Sequence, residues 1–93
     1  MPERHVRVAS GSGLHARPAA LLVRAAGRAP VPVTIARTGG DPVDARSILA
    51  VLGLGACHGD EVVLAADGDG AQAVIDELAA LLSRDLDVDP AGS

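Results

Sequence analysis

Ninety-three residues suffice for one domain over 1–93, with an ordered fold expected over about 3–84, and the 48% hydrophobic content without Phe, Tyr or Trp leaves only Leu, Val, Ile and Ala to build a thin core. A net charge of −4 and the lack of aromatic stacking platforms argue against nucleic acid as a partner. A single cysteine, Cys57, cannot form an internal disulfide, and with no apolar run of membrane length and no signal-peptide core, a cytoplasmic protein without membrane insertion is expected.

Residues 4–9 alternate as a half-buried strand with Val6 and Val8 on one face, and 10–13 read as a loop. From Ala16 to about Gly27 the period becomes helical: Ala19, Leu22, Val23 and Ala26 share one stripe, the expected buried face. Arg24 and Arg28 each fall within about 20° of Arg17 on the opposite side, with Leu21 among them. Residues 31–37 form a second strand, Thr38–Pro42 a turn, and Val43 starts a short returning strand that closes a hairpin.

Residues 47–54 form a brief helix with Ser47 as N-cap and apolar residues pointing in every direction. Residues 59–66 give another strand, and Asp69 with Gln72 reads as a capping box for a helix carrying Ala71, Val74, Leu78, Leu81 and Leu82 up to about Arg84. Residues 85–93 are an acidic tail. The order β-α-β-β-α-β-α predicts an α+β fold, with helices covering one face of an antiparallel sheet. Charge is unevenly placed: residues 1–58 hold seven Arg against Glu3, Asp41 and Asp44, whereas 59–93 hold Arg84 against nine acids. The first half therefore suits an acidic partner.

His15 stands immediately before the first helix, where backbone N–H groups lack intrahelical acceptors. Pro18 in the first turn sacrifices no needed donor and presets φ, so the amides of Ala16 and Arg17 remain to bind an anion. The positive end of the helix favours neutral, nucleophilic imidazole over imidazolium. Arg17 adds a planar donor fork for a phosphoryl group carrying roughly −1.5 to −2 charges. A capping or surface histidine is the alternative that these residues leave open.

Gly13-Leu-His-Ala-Arg-Pro-Ala-Ala resembles the active-site signature of HPr, the histidine-containing phosphocarrier family of the bacterial phosphoenolpyruvate-dependent sugar phosphotransferase system. Ser47-Ile-Leu-Ala-Val-Leu-Gly-Leu-Gly resembles its second signature, and the likeness runs in order from residue 4 to about 84. The resemblance implies an open-faced β-sandwich, four antiparallel strands covered on one face by three helices. It also implies a carrier rather than an enzyme. His15 takes a phosphoryl group on Nδ1 from enzyme I and gives it to IIA domains of sugar permeases, while Arg17 stabilises the group. No metal or organic cofactor is implied, and the chain is expected to act as a monomer.

In some members of this family the serine matching Ser47 is phosphorylated by an ATP-dependent HPr kinase, which brings in transcription regulators as partners; N-capping accounts for the residue equally well. By resemblance Ile48, Leu49 and Leu52 are exposed beside Leu21, Arg24 and Arg28 and dock partners, whereas Val51 and Leu54 are assigned to the core. A carrier in a nitrogen-related or other regulatory phosphorelay, and a binding module controlled through Ser47, are the alternatives. His5, Cys57 and His58 lack the spacing of a metal site, Cys57 reads as a small buried hydrophobe, and Gly11-Ser-Gly lacks the lysine of a P-loop. The turn at 38–42 is one residue longer than the family pattern, and the acidic tail outlasts the last helix.

Overall fold

A computed structural model describes residues 2–11 and 13–84; the acidic tail lies outside the described residues. Seven elements follow in chain order: β1 (Glu3–Arg7), α1 (Ala16–Gly27), β2 (Val33–Arg37), β3 (Val43–Asp44), α2 (Ile48–Gly53), β4 (Glu61–Ala66) and α3 (Ala71–Leu82). The strands make one antiparallel sheet in the order β1-β4-β2-β3, so the last strand in the chain sits between the first two. This is the α+β fold that the element order predicts and the open-faced sandwich that the resemblance implies.

Alternation along each strand sets the two faces of the sheet. Val62, Leu64 and Ala66 of β4 are buried, as are Val33 and Ile35 of β2, with Val6 of β1 half-buried on the same side. Glu3, His5, Arg7 and Glu61 occupy the opposite, solvated face. In α3 the buried set is Ala71, Val74, Ile75, Leu78, Ala79 and Leu82, an i, i+3, i+4, i+7 stripe facing β1 and β4. From α1 come Ala19, Leu22 and Ala26, with Val23 partly buried. The largest buried side chains are leucine and isoleucine, so the helical layer must lie close on the sheet to fill space.

Several boundaries differ from the sequence reading for local reasons. The first strand ends at Arg7, although Val8 stays buried and exchanges backbone bonds with the next turn: Val8 N–H donates to the Asp60 carbonyl (2.9 Å) and Gly59 N–H to the Val8 carbonyl (2.8 Å). The second strand begins at Val33, opposite Ala66 where β4 ends, because Pro30 and Pro32 have no N–H for the ladder. β4 starts at Glu61 because Gly59, with φ +86°, belongs to the preceding turn.

The expected capping box at α3 does not form. The N-cap is Gly70 in the left-handed region (φ 85°), one residue later than Asp69, which moves Gln72 to the second helical position. Its Nε2 instead donates to Asp76 Oδ1 (3.0 Å) one turn on. At α2, by contrast, Ser47 Oγ accepts the Ala50 N–H (3.2 Å) as an N-cap should.

Candidate functional site

The loop that delivers His15 is fixed from below. Ala9 N–H donates to the Leu82 carbonyl (3.1 Å) at the end of α3, Gly13 N–H to the Ser10 carbonyl (2.9 Å), and Leu14 N–H to the Ala56 carbonyl (2.9 Å) beyond α2. Leu14 is fully buried and Pro18 packs into the core, while His15 between them is exposed. One apolar anchor on each side therefore holds a polar ring outward. Gly13 makes the close approach possible: its φ is +75°, and a Cβ there would stand 2.5 Å from the Ala56 carbonyl oxygen and 2.9 Å from Cys57 Cα.

His15 is the N-cap of α1, with extended backbone (φ −126°, ψ 163°) and its carbonyl accepting the Ala19 N–H (3.5 Å). Its side chain makes no capping bond, so the ring is not consumed in holding the helix. The amides of Ala16 and Arg17 fall in the first turn, which supplies no intrahelical acceptors, and no acidic residue occupies that turn. The result is a positive helix end beside an uncommitted imidazole. Arg17, Arg24 and Arg28 are exposed, and none makes an ion pair with another described residue.

α1 packs against α2. Leu49 is 80% exposed and Ile48 39%, large apolar side chains left in solvent. Leu52 differs from expectation: it is partly buried against the core, because a six-residue helix resting on α1 and β3 turns that position inward. Val51 is fully buried, and Leu54 is half-buried against the same core. Leu21 is half-buried too. Arg28 caps the far end of α1, roughly 20 Å from His15 at 1.5 Å per residue, and lines a cleft with Pro30, Val74 and Glu77 between α1 and α3.

Ser47 is reached through a turn shaped by Asp44, whose Oδ1 accepts the Arg46 N–H (2.9 Å) and whose carbonyl accepts the Ser47 N–H (3.1 Å). Hydrogen bonds from the Arg46 side chain and backbone hold the Asp44 carboxyl below the usual carboxylate range.

Cys57 is exposed rather than buried, because the turn that presents the Ala56 carbonyl to Leu14 turns the next side chain outward; its Sγ reaches the Gly55 carbonyl at 3.5 Å. Sequence reading also missed the supporting shell of the loop. Ser10 is the buried polar residue of this region, and His58 Nδ1 lies 3.3 Å from its carbonyl. Nothing in the local pattern signals that contact across 48 residues. Among the described residues no group of three or more His, Cys, Asp or Glu is arranged to hold a metal ion, and no helix is long and apolar enough to cross a membrane.

Comparison with known proteins converges on one family. The family model described as PTS HPr component phosphorylation site matches residues 2–84. A phosphocarrier protein HPr of Streptomyces coelicolor is 55% identical over 87 residues, 94% of each chain. The crystal structure of HPr-C-His from Thermoanaerobacter tengcongensis superposes with a TM-score of 0.87 at 31% identity, covering 96% of this chain and 99% of that one. A multiphosphoryl transfer protein of Vibrio cholerae is 32% identical over 82 residues, which span 86% of this chain and 20% of that longer protein. The chain belongs to the HPr family, the phosphocarrier proteins of the phosphotransferase system.

Proposed function

We propose that the His15 ring accepts a phosphoryl group from enzyme I at Nδ1 and hands it to IIA domains of sugar permeases, in the cytoplasm and from a single domain over 3–84. The observation that carries this reading is the exposed His15 side chain at the N-cap of α1, free of any capping bond and beside first-turn amides without intrahelical acceptors. In the forward step a nitrogen of the ring attacks phosphorus, the new N–P bond forms as the donor's bond to phosphorus breaks, and the ring proton is released to solvent or partner.

The product is an anion at the positive end of a helix, where oriented dipoles stabilise it without rearrangement. Arg17, in the first turn of α1, supplies a charge-assisted fork to the same group. Neither feature makes the N–P bond inert; they lower the cost of carrying charge between two partners. The similarity of this chain to a segment of a multiphosphoryl transfer protein fits a station in a relay. Leu21, Arg24, Ile48 and Leu49 form the surface on which partners dock, Leu52 supporting them from beneath and Arg28 extending the basic stripe.

Incubation with phosphoenolpyruvate and enzyme I is expected to give one acid-labile phosphate, lost in His15→Ala. Transfer that survives in His15→Ala overturns the assignment. An ATP-dependent, acid-stable phosphate on Ser47 with His15 inert would favour a binding module regulated by HPr kinase. No observation favours that reading here, since the N-cap bond to Ala50 already accounts for the hydroxyl.

A further inference from the structure

The turn after α2 carries a histidine that the proposed chemistry does not use. Asp60 closes this turn from both ends: its Oδ2 accepts the Cys57 N–H (2.9 Å) and its own N–H donates to the Cys57 carbonyl (3.0 Å). The same carboxylate pairs with Arg37 Nη2 (3.3 Å) at the end of β2, which braces the turn against the sheet. Among the described residues, four hydrogen bonds join it to residues 8–11 and 13–14. Three are made by backbone groups, between Val8 and Asp60, Gly59 and Val8, and Leu14 and Ala56. The fourth is made by a side chain, His58 Nδ1 to the Ser10 carbonyl at 3.3 Å.

Ser10 is where the path of the chain toward His15 is decided. The residue is 1% exposed, and its carbonyl also receives the Gly13 N–H (2.9 Å), closing the tight turn that leads into Leu14 and α1. A carbonyl can only accept, so His58 contributes Nδ1–H. We propose that His58 is a positioning residue for phosphoryl transfer at His15. By donating to the Ser10 carbonyl it holds the 10–13 turn, and through the pinned Gly13 and Leu14 it sets where the His15 ring stands relative to the first-turn amides.

The inference rests on the proposed role of His15, and its test separates the two. His58→Ala removes the donor; His58→Asn keeps an N–H at the position of Nδ1. Phosphorylation of the full chain by enzyme I and phosphoenolpyruvate is followed for kcat and KM, together with the amide NMR signals of Gly13, Leu14 and His15 in the unphosphorylated protein. A single hydrogen bond of this kind corresponds to a loss of about two- to tenfold in rate. In His58→Ala that loss is expected in kcat with KM little changed, accompanied by shifted amide signals, and His58→Asn is expected to restore both. An unchanged rate in His58→Ala, a loss confined to KM, or failure of the asparagine to rescue overturns the proposal. If the parent chain takes no phosphate on His15, that role falls by itself. The amide signals then decide whether His58 holds the loop: shifted in alanine and restored in asparagine for it, unmoved against it.

Discussion

Gly13 shows how little freedom the backbone has two residues before His15. A side chain there meets two separate obstacles, a φ of +75° that L-residues rarely adopt and a carbonyl oxygen 2.5 Å from the added carbon. Gly13→Ala is expected to destabilise the protein by about 1–3 kcal/mol in a urea titration. Gly53→Ala is the matched control: it lies at the end of α2 with nothing within 4 Å of its Cβ position, so stability should hold or rise slightly. Equal losses in the two variants would mean that the contact with Ala56 does not constrain the loop. His15 itself was legible from its neighbours in the chain, because a histidine followed by Ala-Arg-Pro announces a helix start. The close approach at Gly13 was not, since its partner lies 43 residues further along the chain.

Within α2 two neighbouring apolar residues have opposite fates. Val51 is fully buried and Leu49 is 80% exposed, so truncating them separates folding from the proposed docking role. Val51→Ala should cost about 1–3 kcal/mol through lost methyl contacts, read from the thermal midpoint. Leu49→Ala should leave stability within about 0.5 kcal/mol while raising the KM for partner phosphotransferases. A Leu49→Ala protein that melts early and docks normally would assign that side chain to the core. Periodicity marks α1 and α3 well because twelve residues span three turns, whereas six residues of α2 give too short a stripe to resolve inside from outside. The resemblance places Leu52 in solvent with Ile48 and Leu49, and the fold leaves it partly buried against the core.

Acid stability belongs to the assembled fold, since the groups involved meet only across the sheet or around its turns. Glu61 on β4 is held below the usual carboxylate range first by its hydrogen bond with His5 (2.9 Å) and next by Thr38 Oγ1 (3.1 Å). Asp44 is lowered by Arg46. A carboxyl depressed in the folded state binds its proton more weakly than in the unfolded chain. Its contribution is therefore present above about pH 4 and is lost as pH falls through the lowered folded value. The thermal midpoint should fall on acidification from pH 5 to about 3, and the double variant Asp44→Asn, Glu61→Gln should show a shallower fall. An identical slope in parent and variant would place the acid response elsewhere. Both carboxylates are solvated, so the effect is expected to be modest.

Sequence alone was enough for whatever depends on neighbours along the chain. The order of elements, the buried stripe of Ala19, Leu22 and Ala26, the Ser47 cap and the histidine at a helix start all follow from spacing and capping chemistry within a few turns. The exposure of Cys57, the shift of the α3 cap to Gly70 and the ties from Ala56 and His58 to the His15 loop were settled only in three dimensions. The reason is topological. β4 inserts between β1 and β2, which brings the turn before it beneath the loop after β1, and residues more than 40 positions apart meet there. No local period encodes such a meeting, so the place of His15 at a helix start could be read from the chain while the ties that hold its loop could be read only from the fold.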